Sequence, residues 1–270
     1  MKKLMFAAAA VAAGVAVADV TSANIVGYNT CSEMQTSATE QKLNMMAIPF
    51  SAVDGKGISL NDLVFSNPKA SSRATQADQI LLWVYSDKSQ KYEYEYWYRK
   101  STGWFAVSGG ADFDVAYPNG LPAGTTFWYN AYKKTGAETL TTSGAVCEDQ
   151  QVVRNVLRDS LNFVSFPYPV ALKLNDKTQA DWGTAVASSR ATQADQIMLW
   201  VYNAQTDKYE YEYYYLKSSG WTAVSGGNAF EINHPNGVTV GTGFWYKAYK
   251  KSGSTDFDIT FKSPLAKAAE

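Results

Sequence analysis

Histidine is almost missing from this chain: there is one, His234, in 270 residues. A Ser-His-Asp or Cys-His site would have to use it, and no nucleophile-elbow sequence accompanies it, so His234 is expected in a surface loop. Cysteine occurs twice, at Cys31 and Cys147. That leaves no Cys/His cluster for zinc, and no metal or other cofactor is expected. Basic residues are not in surplus, with 24 Lys and Arg against 25 Asp and Glu. Nucleic-acid backbones are held by excess positive charge, so no nucleic-acid partner is expected. No phosphate-binding GxxxxGK[ST] run is present. Beyond the N-terminus no apolar stretch approaches the length of a membrane-spanning helix, so no membrane insertion is expected.

The N-terminal stretch is different. Lys2 and Lys3 precede an apolar run that ends in Ala16-Val17-Ala18. This is the pattern of a secretory signal peptide over residues 1–18, which places the mature chain in the periplasm, at the cell surface or outside the cell. Without those two lysines the chain carries 22 basic and 25 acidic side chains, a formal charge of −3. In an oxidising compartment a lone cysteine pair is usually bridged, so a Cys31–Cys147 disulfide is expected, with two separate buried thiols as the alternative.

What the chain has in abundance is aromatic residues, 18 Tyr, 12 Phe and 8 Trp, and an internal duplication. SSRATQADQILLWVY starts at Ser71 and SSRATQADQIMLWVY at Ser188. The offset of 117 holds without a gap to Gly136 and Gly253. It pairs Trp83 with Trp200, Trp104 with Trp221 and Trp128 with Trp245. The repeats are placed at 19–141 and 142–270, with no Pro/Gly/Ser-rich tether between them, so they are expected to pack on each other. The local signals are β signals. QILLWVY is apolar on both faces, as a covered central strand would be. In TTFWYNAYKK, Phe127, Tyr129 and Ala131 alternate with Trp128, Asn130 and Tyr132. Ser-Gly-Gly and Pro-Asn-Gly turns recur in both copies. One short helix is expected after Ser59, with a counterpart near QADWGTAV. The fold class is all-β: two tandem homologous β-sandwich or small-barrel repeats.

The segments Ser22–Tyr28, Leu43–Phe50, Ala77–Trp83, Gly103–Trp104 and Gly124–Tyr129 together resemble the pattern of secreted tandem β-repeat proteins of planctomycete and verrucomicrobial bacteria. The resemblance covers most of both repeats, and its motifs are structural rather than catalytic. It implies an exported, non-enzymatic β-protein with no defined ligand. The second copy departs from it by lacking a clear NIVGY segment, which leaves its first strand unassigned.

The run KYEYEYWYRK puts Tyr92, Tyr94, Tyr96 and Tyr98 on one strand face and Lys91, Glu93, Glu95, Trp97 and Arg99 on the other. The charged face is expected in water and the tyrosine face in the core, with a binding platform or a protein–protein seam as alternatives. Trp97 and its counterpart Tyr214 then become candidate sugar-stacking rings on the solvent face. The indoles of Trp104, Trp221, Trp128 and Trp245 complete the candidate ligand-binding set. The plainer reading of Trp97 and Tyr214 is a cross-strand partner packed under a neighbouring loop, and that of Trp104 and Trp221 is core; Trp128 and Trp245 lie on a half-polar face that forms a second candidate surface. Arg73 is expected to pair with Asp78, and Arg190 with Asp195, bracing the loop before the central strand. Glu93 and Glu95, repeated as Glu210 and Glu212, lie about 7 Å apart on one face, a separation that glycoside hydrolysis could use. Solvated glutamates on an outer face are commoner. The expected function is therefore non-catalytic: binding or scaffolding outside the cytoplasm, with a glycan or other extracellular polymer as first ligand. A self-assembling cell-surface protein and a paired-Glu glycoside hydrolase are the alternatives.

Overall fold

The computed structural model describes residues 26–158, 160–203 and 205–264; the expected signal peptide lies outside them. The first repeat holds β1 (Val26–Met34), β2 (Lys42–Ala47), β3 (Val64–Phe65), β4 (Gln79–Ser86), β5 (Lys91–Lys100), β6 (Gly103–Ala106), a single turn α1 (Phe113–Ala116), β7 (Thr126–Ala131) and β8 (Glu138–Ala145). The second holds β9 (Gln151–Val156), β10 (Leu161–Ser165), β11 (Ala180–Asp181), β12 (Gln196–Asn203), β13 (Lys208–Lys217), β14 (Gly220–Ala223), α2 (Phe230–Asn233), β15 (Gly243–Lys247) and β16 (Phe257–Lys262). Each repeat is a sandwich of a three-stranded and a five-stranded antiparallel sheet, ordered β1-β8-β3 over β2-β7-β4-β5-β6 and β11-β16-β9 over β10-β15-β12-β13-β14.

The unassigned first strand of the second copy is β9. It pairs with β16 as β1 pairs with β8, so Val156 opposite Phe257 holds the place of Cys31 opposite Leu140. The repeat boundary expected at residue 141 falls inside β8; the chain changes sheets between Ala145 and Gln151. Ser59 does cap a short helix, its hydroxyl accepting from Asn61 N at 3.0 Å, but only as a 3-10 turn over Leu60–Asp62. The QADWGTAV segment instead supplies β11.

Each sandwich has its own core. In the first, Ile80 and Leu82 of β4, Trp97 of β5, and Phe127, Tyr129 and Ala131 of β7 meet Phe65 and Leu140 of the smaller sheet. The alternation in β7 thus holds, with Trp128 on the opposite face. The orientation of β5 is the reverse of expectation. Trp97 points into the core, fully buried, while Tyr94 is half-buried and Tyr96 is 43% exposed on the outer face. A third apolar cluster accounts for the reversal, because part of the outer face of each large sheet is covered by the other repeat.

That seam is a cluster of Met45, Leu81, Trp128 and Trp245 with Trp83, Tyr94, Phe163, Met198, Trp200 and Tyr211 around it. These ten residues are five pairs of equivalent positions, so the repeats meet about a pseudo-twofold axis, as two subunits of an isologous dimer would. Trp83 stands edge-on to Trp245 (centroids 5.6 Å apart, planes at 90°) and Trp200 edge-on to Trp128 (5.6 Å, 87°). Each outer indole donates to a backbone carbonyl of the other repeat: Trp83 Nε1 to Leu161 O at 2.9 Å, and Trp200 Nε1 to Leu43 O at 3.1 Å. Indoles at an interface are placed where their N–H finds a partner, and these half-buried ones do so across the seam.

Candidate functional site

A cleft of about 570 Å³ opens beside the seam, with walls from both repeats. Its origin is local. The ladder between β12 and β15 covers only Gln196–Met198, whereas β12 pairs with β13 along its whole length. Beyond Met198 the strand diverges from the chain at Gly237–Val240, and the gap is closed on its far side by Asn29, Thr30 and Asn44 of the first repeat. One wall is aromatic: Trp200 stacks on Tyr209 (6.4 Å, 28°), and Tyr202, 51% exposed, leans on Tyr209 at 5.3 Å. The other described lining groups are amides, hydroxyls, methionines, the aliphatic Leu199, Val201, Val238 and Val240, Cys31 and His234; among the described residues the lining includes no Asp, Glu, Lys or Arg. Asn29 Nδ2 reaches Val240 O at 3.4 Å across the cleft floor. At the pseudo-symmetric place stands Arg154, whose longer side chain reaches Ala123 O at 2.6 Å. The two sides of the seam are therefore not chemically equivalent.

His234 does lie in a loop, at the C-cap of α2, but it is half-buried. Its Nε2 lies 2.7 Å from Glu212 Oε2, which also accepts from Tyr214 OH at 2.9 Å. The hydrogen bond from His234 holds the Glu212 carboxyl below its ordinary range, against the opposing effect of burial. Burial, reinforced by Glu212, pushes the Tyr214 phenol up. In the first repeat Glu95 is bonded instead by Tyr117 OH at 2.5 Å and Trp97 Nε1 at 3.3 Å. The inner glutamate of each pair is thus tied to aromatic groups beneath its own strand, while Glu93 is exposed.

The structure corrects several sequence expectations. None of the six candidate ligand-binding aromatics presents a ring to solvent. Trp97, Tyr214, Trp104 and Trp221 are core residues no more than 1% exposed, and Trp128 and Trp245 are seam residues at 4%. Of the rings the cleft does present, Trp200 and Tyr202 lie on β12, which read as a covered central strand, and Tyr209 lies on β13, in the tyrosine row for which a binding platform was only the alternative.

The expected ion pairs are re-partnered. Arg73 and Arg190 are exposed, and Asp78 and Asp195 are fully buried. Asp78 Oδ2 accepts from Lys134 Nζ at 2.7 Å, and Arg158 Nη1 lies 3.7 Å from Asp195 Oδ1. A buried carboxylate needs a buried counter-charge, which the surface arginines cannot give. The cysteines are not joined by a disulfide. Cys31 lies opposite Leu140, seven residues before Cys147 along β8 and its extension, about 20 Å of extended chain where a disulfide needs Cα atoms within about 7 Å. The two side chains pack against different cores.

Asp78 and Asp195 are the hubs of equivalent buried networks. Asp78 accepts from Tyr129 OH at 2.5 Å and Tyr132 N at 2.7 Å, and Asp195 from Tyr246 OH at 2.6 Å and Tyr249 N at 2.7 Å. The neutralising cation differs. Lys134 also contacts Glu138, Tyr129 OH at 2.9 Å and Asn67 O at 2.9 Å. Arg158 donates to the carbonyls of Thr255, Tyr249 and Thr184. Burial raises the Tyr129 and Tyr246 phenols far above their ordinary value, so both remain donors.

Among the described residues no group of His, Cys, Asp and Glu is arranged to hold a metal ion, and no helix is long and apolar enough to cross a membrane. The chain matches no protein-family model, no curated protein and no solved structure.

Proposed function

We propose that this is an exported, non-catalytic binding protein that holds a neutral polyhydroxylated ligand, a glycan segment, in the cleft between its repeats. The observation that carries the reading is the chemistry of the cleft: an aromatic wall of Trp200, Tyr202 and Tyr209 faces amides, hydroxyls and aliphatic groups, with no carboxylate, ammonium or guanidinium among the described lining groups. Sugar rings present apolar C–H faces to aromatic walls and hydroxyls to neutral donors and acceptors, whereas charged ligands need a counter-charge that the described lining does not supply. A paired-glutamate hydrolase draws no support from the geometry, since Glu95 and Glu212 are engaged by their own aromatic neighbours.

The test is a glycan array followed by calorimetry. Tyr209→Ala removes a cleft ring, and Tyr92→Ala removes its equivalent from the first repeat. A glycan signal weakened tenfold or more by the first and unchanged by the second supports the cleft; equal losses, or no signal across the array, remove the proposal. A second reading, self-assembly at the cell surface, is favoured by β1. This nine-residue strand has an outer edge with no partner among the described strands, and it carries Tyr28 at 79% exposure. Unpaired edges invite pairing with another chain. Light scattering of wild type and Tyr28→Lys separates this reading, which requires an oligomer that the variant dissolves.

A further inference from the structure

We propose that the first repeat closes an intramolecular amide (isopeptide) bond between Lys134 Nζ and the Asp78 side-chain carbonyl carbon, with Glu138 carrying the protons. The inference is independent of the cleft. Lys134, Asp78 and Glu138 come from three places: the loop between β7 and β8, the residue before β4 and the first residue of β8. They converge in the dry interior, Asp78 and Glu138 at 0% exposure and Lys134 at 9%. Lys134 Nζ is 2.7 Å from Asp78 Oδ2 and in contact with Glu138 Oε2. Phe65 stacks over Tyr129 at 4.4 Å and shields the group.

As an ion cluster this arrangement is poor, for one ammonium faces two buried carboxylates. Burying charge is costly even when paired, and here one negative charge remains uncompensated. As a reaction centre it is well arranged. Glu138 takes a proton from the Lys134 ammonium and passes it to Asp78 Oδ2. The neutral amine then attacks Cγ of the resulting acid. Asp78 Oδ1 is held by the Tyr132 N–H at 2.7 Å, a donor placed for the oxyanion of the tetrahedral intermediate. Glu138 accepts the second amine proton and delivers it to the departing oxygen. The Cγ–Oδ2 bond breaks and one water leaves. The nitrogen goes from three hydrogens to one, the two lost hydrogens appear in the water, and Glu138 ends as it began. No oxidant or other reactant is needed. Held contact between amine and carboxyl replaces the bimolecular encounter that makes amide formation slow in water.

The second repeat is the internal control. Asp195 keeps its tyrosine hydroxyl and backbone N–H, but Lys251 and Thr255, the counterparts of Lys134 and Glu138, are exposed. Its cation is Arg158, whose delocalised guanidinium is a poor nucleophile toward a carboxyl carbon.

The experiment is intact-mass and peptide mass spectrometry on the folded full chain. The expected result is a chain lighter by one water, with a single branched peptide joining the segments that hold Asp78 and Lys134. Lys134→Arg restores the full mass while keeping the near-ultraviolet dichroism of a packed core. Asp78→Asn forms the same link with loss of ammonia instead of water, and Glu138→Gln slows closure at least tenfold. A folded wild-type chain that keeps its full mass after prolonged warming below its melting point overturns the proposal, and so does a branch mapping to any other pair of residues. The wild-type measurement decides the matter even if every variant fails to fold.

Discussion

Thr126 and Gly243 hold the same position in their respective repeats, and they meet each other across the seam. A Cβ placed on Gly243 would lie 2.0 Å from Thr126 Cγ2. A residue near a twofold axis contacts its own mate, so two side chains compete for one space, and the chain resolves the conflict by keeping one. Gly243→Thr would make the repeats identical here and overfill the axis. The expected cost is about 1–3 kcal/mol in urea denaturation, the range for overpacking a close-packed site. Adding Thr126→Gly to that variant moves the single side chain to the other repeat and recovers most of the loss. A double variant no more stable than Gly243→Thr alone would show that the clash lies elsewhere.

Trp245 couples the repeats more broadly. It lies face to face with Phe163 at 4.0 Å and edge-on to Trp83. Replacing a buried tryptophan by alanine removes its transfer energy and leaves a cavity, about 3–5 kcal/mol in total. Because the seam is shared, wild type is expected to unfold in one transition followed equally by fluorescence and circular dichroism. Trp245→Ala is expected to lower the midpoint and to separate the two probes as the repeats uncouple. Coincident curves for the variant would place the cooperativity outside the seam.

The re-partnering of Asp195 gives a sharp contrast between two arginines. Arg158 is 7% exposed and makes hydrogen bonds to three carbonyls, whereas Arg190 is on the surface. Arg158→Ala leaves the Asp195 charge buried and is expected to cost about 3–5 kcal/mol. Arg190→Ala is expected to stay within about 0.5 kcal/mol of wild type, as surface changes do. Chemical denaturation of the two variants side by side checks the assignment; comparable losses would restore the surface arginine as the brace.

These contrasts mark where the sequence stopped being informative. The 117-residue offset and the β7 alternation were enough for two like all-β halves and for the inward face of Phe127 and Tyr129. Period-two alternation says that the faces of a strand differ. It does not say which is covered when a second layer lies outside the first, so Tyr94 and Trp97 were assigned to the wrong sides. Asp78 was paired with the nearest cation in sequence, Arg73, when the buried partner Lys134 arrives from 56 positions further on. The cleft was invisible because its walls, Asn29 to Asn44 and Trp200 to Val240, are neighbours only after the repeats have docked.

The His234–Glu212 contact predicts a pH dependence confined to the second repeat. The hydrogen bond from His234 holds the Glu212 carboxyl below its ordinary value of 4.5 in the folded chain, and unfolding releases it to that value. The folded state therefore binds this proton less tightly than the unfolded state does. The contribution to stability is fully present above the unfolded value and is lost as pH falls through the folded one. The Glu212 side chain is 41% exposed, so solvent screening keeps the effect small. His234→Phe removes the donor while retaining an aromatic ring against Phe230 and Tyr214, which His234 contacts at 5.0 and 5.8 Å. Wild type is expected to be the more stable of the two at neutral pH, with the gap narrowing as the solution is acidified below the ordinary carboxylate range. Paired denaturation curves across that range give the answer. A gap that stays constant or widens in acid would mean that His234 acts through ring packing alone, and that Glu212 draws its stabilisation from Tyr214.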